Sequence, residues 1–241
     1  MLKVLSLSII TPNRRTSLKK EIMNLLDANI GDEILFILDK NGIINIRKFK
    51  GDMTLGTGEK YISSSYITRH KTQTHTNATV TITGDVRHIV NADIGDKILW
   101  ILDNDGNIII RNNVILNGCS INIFSKDITA LVIGMSSLMY QNNIVAIPKE
   151  ITDILGVYEE YKIMLSLDNY GNIIVSKEIG ENLLQESTIN NRYPNIYIIN
   201  TVIDILEAVD KILWYFDEEG NIIIKNNLLP DNCISIAKAI T

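Results

Sequence analysis

The sequence predicts a mostly β protein with short helices, built from four related units. Three observations predict it. An apolar run, an Asp-x-x-Gly turn and a second apolar run occur four times along the chain. A short amphipathic segment precedes each of these hairpins. With 46% hydrophobic and 21% charged residues, the 241-residue chain can bury a substantial core.

The hairpins carry the strongest signal. Their turns are Asp39-Lys40-Asn41-Gly42, Asp103-Asn104-Asp105-Gly106, Asp168-Asn169-Tyr170-Gly171 and Asp217-Glu218-Glu219-Gly220. The runs before them read "ILFIL", "ILWIL", "IMLSL" and "ILWYF"; those after read "IINI", "NIII", "NIIV" and "NIII". Aspartate favours the first turn position because its carboxylate accepts local backbone N–H groups. Glycine takes the left-handed conformation of a bulged hairpin at little cost. The runs are apolar at nearly every position, which predicts strands buried on both faces, in a small closed barrel or beneath a covering helix.

The segment before the third hairpin, "NIVAIPKEITDILGV", predicts a strand over Ile144–Ile147 and then a helix. Pro148 suits the first turn, where its missing N–H is not needed, and Glu150 lies near the positive helix terminus. Ile151, Ile154 and Leu155 make one apolar face, and Gly156 is placed to end the helix. Ile22, Leu25 and Leu26 form the same face in the first copy, and Val86, Ile89 and Val90 in the second. The fourth, "NIYIINTVIDILEAVDK", is shorter.

A second level of repetition is visible. "DKILWILDNDGNIIIRNN" and "DKILWYFDEEGNIIIKNN" place Trp100 and Trp214, Gly106 and Gly220, and Cys119 and Cys233 at one common offset of 114 residues. Duplication of a two-unit block accounts for this and gives two domains, 1–125 and 126–241. The cysteines then read as equivalent packing positions, since no C-x-x-C pair marks a zinc or disulfide framework. "SKDITALVIGMSSLMYQNN", Ser125 to Asn143, is expected to bury against a neighbour as a helix or a strand.

Several function classes find no support. No run reaches the roughly 18 apolar residues that span a bilayer, and the N-terminus lacks a charged n-region and a cleavage site, so a cytoplasmic protein without membrane association is expected. "GDMTLGTGEKY", Gly51 to Tyr61, lacks the Gly-Lys-Ser/Thr of a phosphate loop and reads as a flexible connector. No nucleophile elbow or zinc-protease motif occurs, so neither an enzyme nor a cofactor is expected. His70, His75 and His88 all belong to the second unit, without convergent ligands for a metal.

Charge divides the chain. The net charge is −5, but residues 1–125 hold 15 Lys and Arg against 12 Asp and Glu, net +3. Residues 126–241 hold 8 against 16, net −8. The halves present different fields to a charged partner.

"IVAIPKEITDILGV" followed by an Asp-x-x-Gly hairpin resembles the SpoVT/AbrB-like swapped-hairpin family, whose relatives include MazE-type antitoxins. Ile30-Gly31-Asp32 and Ile94-Gly95-Asp96 match its Gly-Asp element, and all four units fit in outline. The resemblance implies interleaved pairs: units one with two and three with four, each an intrachain pseudo-dimer closing one barrel. It also implies DNA binding through basic residues near the first strand and helix start. Lys20 and Lys149 match the motif lysine, and Arg87 a later basic residue. Arg14, Arg15 and Lys19 precede the first helix; Arg69, His70 and Lys71 precede the second.

Departures weaken parts of this pattern. Gly84 replaces the motif lysine in unit two, and Glu160-Tyr161 replaces Gly-Asp in unit three. Units three and four are acidic around their helices. The expected function is a DNA-binding transcriptional regulator acting through the N-terminal pair. The acidic pair would serve self-association or a protein or ligand partner. The alternative is a non-enzymatic scaffold; an antitoxin is disfavoured by the structured-looking C-terminus "NCISIAKAI".

Overall fold

The computed structural model describes residues 1–71, 76–115, 130–139, 142–157, 160–190, 194–208, 210–217 and 219–229. Cys119, Cys233, His75 and the "NCISIAKAI" terminus lie outside them. Contacts divide the chain into two compact units, Met1–Asn113 and the described residues from Val114 onward. Both are mostly β, and no described helix is long and apolar enough to cross a membrane.

The first unit contains β1 (Leu2–Ile9), β2 (Arg15–Leu18), α1 (Lys20–Leu25), β3 (Glu33–Leu38), β4 (Ile44–Lys48), β5 (Lys60–Tyr66), β6 (Thr68–Lys71), β7 (Thr76–Thr81), α2 (Gly84–Val90), β8 (Lys97–Leu102) and β9 (Ile108–Asn112). Its strands pair across copies. β1 leads into copy one but pairs with β8 of copy two; β5 leads into copy two but pairs with β3 of copy one. The hairpins β3–β4 and β8–β9 meet through β4 and β9, while β2 pairs with β7 and β7 with β6.

The second unit contains β10 (Val114–Ile115), β11 (Ala130–Met139), β12 (Ile144–Ala146), α3 (Lys149–Leu155), β13 (Lys162–Leu167), β14 (Ile173–Ser176), β15 (Leu183–Thr188), β16 (Asn195–Tyr197), α4 (Asn200–Leu206), β17 (Lys211–Asp217) and β18 (Ile222–Asn226). Here β11 pairs with β17, β15 with β13, β14 with β18 and β12 with β16. Eight strands, in the order β15-β13-β14-β18-β17-β11-β12-β16, nearly close into a barrel. Thus Ala130–Met139, within Ser125–Asn143, is a strand, and β10 pairs with it too.

The pairing gives each unit a local twofold axis. Thr16 faces Val80 and Asn45 faces Ile109; these are equivalent positions of copies one and two. In the second unit Val145 faces Ile196 and Ile174 faces Ile223. Side chains bridge the gap between the barrel's end strands. Gln185 Nε2 donates to Tyr197 O at 2.6 Å, Gln185 Oε1 accepts from Ile199 N at 2.9 Å, and Ser187 Oγ donates to Tyr197 O at 2.7 Å. The first unit repeats the device with serines: Ser65 Oγ accepts from Thr81 N at 2.9 Å, and Ser63 and Thr83 share a hydroxyl bond of 2.7 Å.

The Asp-x-x-Gly turns form as expected. Asp103 Oδ1 accepts from Asp105 N and Asn107 N, while Oδ2 accepts from Asn107 Nδ2. Asp168 and Asp217 repeat all three bonds with Asn172 and Asn221. Asp39 keeps the two backbone bonds, to Asn41 and Ile43. The four strands before the turns each bury four consecutive residues, so both faces are covered. Alternate side chains enter the two cores: Ile34, Phe36, Ile98 and Trp100 in one, Ile163, Leu165, Ile212 and Trp214 in the other.

Two helix-face expectations are corrected. Ile22 and Ile151 are fully buried, but Leu25 and Ile154 are 49% and 48% exposed. The helices have only six and seven residues, and the chain turns away after less than two turns. Leu26 and Leu155 pack against the core as expected, and Met23 joins them in place of Leu25. The Gly51–Tyr61 connector is also tied down: Glu59 bonds both Arg47 and Gly56 N. The Arg47 guanidinium and the Gly56 N–H hold its carboxyl below the usual range.

The Gly-Asp element clasps the strand leading into the other copy. Gly31 N donates to Ile67 O and Ile67 N to Asp32 O; Gly95, Ile10 and Asp96 repeat this. In copy three Glu160 N donates to Ile189 O and Ile189 N to Tyr161 O, with Glu160 at φ +68° where Gly31 has φ +100°. A non-glycine residue pays roughly 1 kcal/mol there. Glu160→Gly should therefore stabilise the second unit by about 0.5–1 kcal/mol, read as a higher urea midpoint with unchanged slope.

Candidate nucleic-acid interface

A turn, two strands and a helix start carry the expected cations of the first unit other than Arg87. Arg14 closes the Thr11–Arg14 turn at φ +58°: its N–H donates to Thr11 O at 2.8 Å, and its carbonyl accepts from Ile82 N at 2.8 Å. Arg15 begins β2 opposite Thr81. At the other end of β2, roughly 10 Å away by strand rise, Lys19 caps α1 and Lys20 opens it. Leu18, the last residue of β2, lies in one row with Ala78 of β7 and Arg69 of β6. Next in register come Asn77 and His70, then Thr76 and Lys71. Arg14, Lys19, Lys20, Arg69 and His70 are exposed and Arg15 half-buried.

The structure therefore brings Lys19 and Lys20 to the same end of the β2-β7-β6 sheet as Arg69 and His70. Arg14 and Arg15 occupy the opposite end, beside the start of α2. Lys149 opens α3 in the second unit and belongs to a separate body.

Arg87 is placed differently from the others. Its Nη1 bonds Asp93 Oδ1 at 2.6 Å, and its side chain is only 16% exposed. It lines a polar cleft of about 310 Å³ with Gly84, His88, Asn91, Asp93 and Asp96. Two carboxylates there oppose a phosphate. Among the described residues no group of His, Cys, Asp and Glu could hold a metal.

Sequence reasoning missed a set of cations behind the hairpins. Arg47, Arg111 and Lys225 occupy one repeat position, opposite Leu35, Leu99 and Leu213. Burial lowers Arg111 to about 10 and Lys225 to about 8, the latter opposed by the charge of Asp168. The recurring "NIIIRNN" and "NIIIKNN" mark the position, but only packing reveals that Arg111 and Lys225 are largely withdrawn from water there.

No protein-family model matches the chain, and no curated protein or solved structure matches it.

Proposed function

We propose that the chain is a DNA-binding transcriptional regulator of AbrB-like type, each unit a swapped-hairpin barrel made by two repeats of one polypeptide. The observation that carries this reading is the cross-copy strand pairing together with the exposed cations around β2. The N-terminal unit supplies the DNA contacts through Arg14, Arg15, Lys19, Lys20, Arg69 and Lys71. Arg87 is held by Asp93 and contributes structure. The acidic second unit serves self-association or a protein partner, and Lys149 opens its first helix.

The test is retention of the full chain on random-sequence duplex DNA at low salt. Arg14→Glu, Arg15→Glu and Lys20→Glu together should weaken binding by roughly a hundredfold near 50 mM salt and flatten the salt slope. An unchanged affinity would overturn the reading.

One observation favours the scaffold alternative. The same helix position is an exposed aliphatic in three copies: Leu25, Ile154 and Ile205 are 49%, 48% and 39% exposed. Under that reading Leu25→Ser with Ile154→Ser and Ile205→Ser would reduce self-association in light scattering and leave DNA retention absent throughout.

A further inference from the structure

The strand leading into each copy joins the next element differently in copy two. Five residues separate β1 from β2, four separate β11 from β12, and six separate β15 from β16. Nine separate β5 from β7, and they include the extra strand β6. Paired with the extended first half of β7, β6 makes a two-stranded ribbon without a counterpart among the described elements of the other copies.

The chemistry of this ribbon is distinctive. Its two strands read "TRHK" and "TNATVT": ten residues with no carboxylate, in a chain of 28 Asp and Glu. Four of the ten are threonine, so the strands are dense in short hydrogen-bonding groups. Thr68 and Thr79 share a hydroxyl bond of 3.1 Å that ties the two strands, while Arg69 and His70 are exposed. The local twofold places the Thr11–Arg14 turn where this ribbon would otherwise be repeated. Likewise Lys19-Lys20 at the start of α1 correspond to Thr83-Gly84 at the start of α2.

We infer that the β6–β7 ribbon is the base-reading element of the first unit, entering the major groove of duplex DNA on one side of the twofold only. This rests on the nucleic-acid reading above. A two-stranded β-ribbon fits the major groove, and arginine and asparagine are suited to base edges. Lys19 and Lys20 at the same end of the sheet would hold the flanking phosphates. The opposite end offers Arg14 and Arg15 but no ribbon. The backbone is twofold-symmetric, but the reading surface is not, so the recognised site is non-palindromic.

The experiment is selection from a randomised duplex DNA pool with the full chain and with Arg69→Ala/His70→Ala. Both side chains are exposed, and matching thermal melting of the two proteins confirms an intact fold. The wild-type chain should enrich a non-palindromic motif. The variant should still bind duplex DNA but lose roughly tenfold in preference for that motif over scrambled sequence. Lys19→Ala/Lys20→Ala should weaken all duplexes alike and leave the motif unchanged. A palindromic motif, or one that survives intact in the Arg69/His70 variant, would overturn the ribbon's role while leaving DNA binding standing. Failure of the wild-type chain to retain any duplex, including retention of single-stranded RNA alone, would overturn the nucleic-acid reading itself and the ribbon's role with it.

Discussion

Replacing Gly134 by serine should destabilise the second unit by about 2 kcal/mol, within the range for overpacking a filled site. A Cβ at this position would lie 2.3 Å from Pro148 Cγ and 2.7 Å from its Cβ. Neither side can yield easily. Gly134 sits in β11 opposite Trp214, which is fully buried. Pro148 is the N-cap of α3, with a stiff ring. The first unit shows how the clash is avoided. Ser6 occupies the equivalent place opposite Trp100, and Lys19, a flexible chain, is the N-cap of α1. Gly134→Ser with Pro148→Lys should therefore recover most of the loss. Denaturant unfolding of the two single variants and the double variant gives the coupling directly. Additive costs would show that the glycine is there for another reason.

Lys225→Met should stabilise the protein at neutral pH by an amount on the order of 2 kcal/mol, and the gain should vanish in alkali. Burial has lowered this lysine from the ordinary 10.5 to about 8. Between those values the unfolded chain holds a proton that the folded chain has released, so wild-type stability rises with pH across this window. Below about pH 8 the folded state carries the buried charge and bears its full desolvation cost. A depression of this size corresponds to roughly 3 kcal/mol at most, a net figure in which the nearby Asp168 carboxylate already offsets part of the cost of burial. Tyr215, raised by complete burial, acts oppositely above the usual tyrosine value. The informative quantity is therefore the difference between wild type and variant, which cancels the tyrosine. Urea titrations from pH 6 to 10 should show that difference shrinking as pH rises. A constant difference would mean that Lys225 is solvated in the folded protein.

The repeat was legible in the sequence because its cause is local. Each aspartate of an Asp-x-x-Gly turn bonds N–H groups two and four residues ahead, so turn and strands appear together within a dozen residues. The uniformly apolar strands were legible for a related reason: burial on both faces removes the alternation that a half-exposed strand would show. The helix faces were read less well. A 3.6-residue pattern counts positions on an indefinitely long helix, whereas these end before the second turn closes, leaving Leu25 and Ile154 in solvent. The candidate cations were readable as charges but not as a surface. Arg87 looks like its neighbours in sequence until Asp93 is found 2.6 Å away.

By itself the sequence determined the units, their turns and the unequal charge of the two halves, since residues near one another along the chain govern all three. Only the tertiary structure decided which strand pairs with which hairpin, because backbone pairing is blind to side-chain identity and each unit offers two nearly equivalent hairpins. That crossing sets the twofold axes, buries Lys225 and Arg111, and gathers Lys19, Lys20, Arg69 and His70 at one end of a small sheet. Residues some 50 positions apart become neighbours there through long-range strand register, which no local pattern encodes.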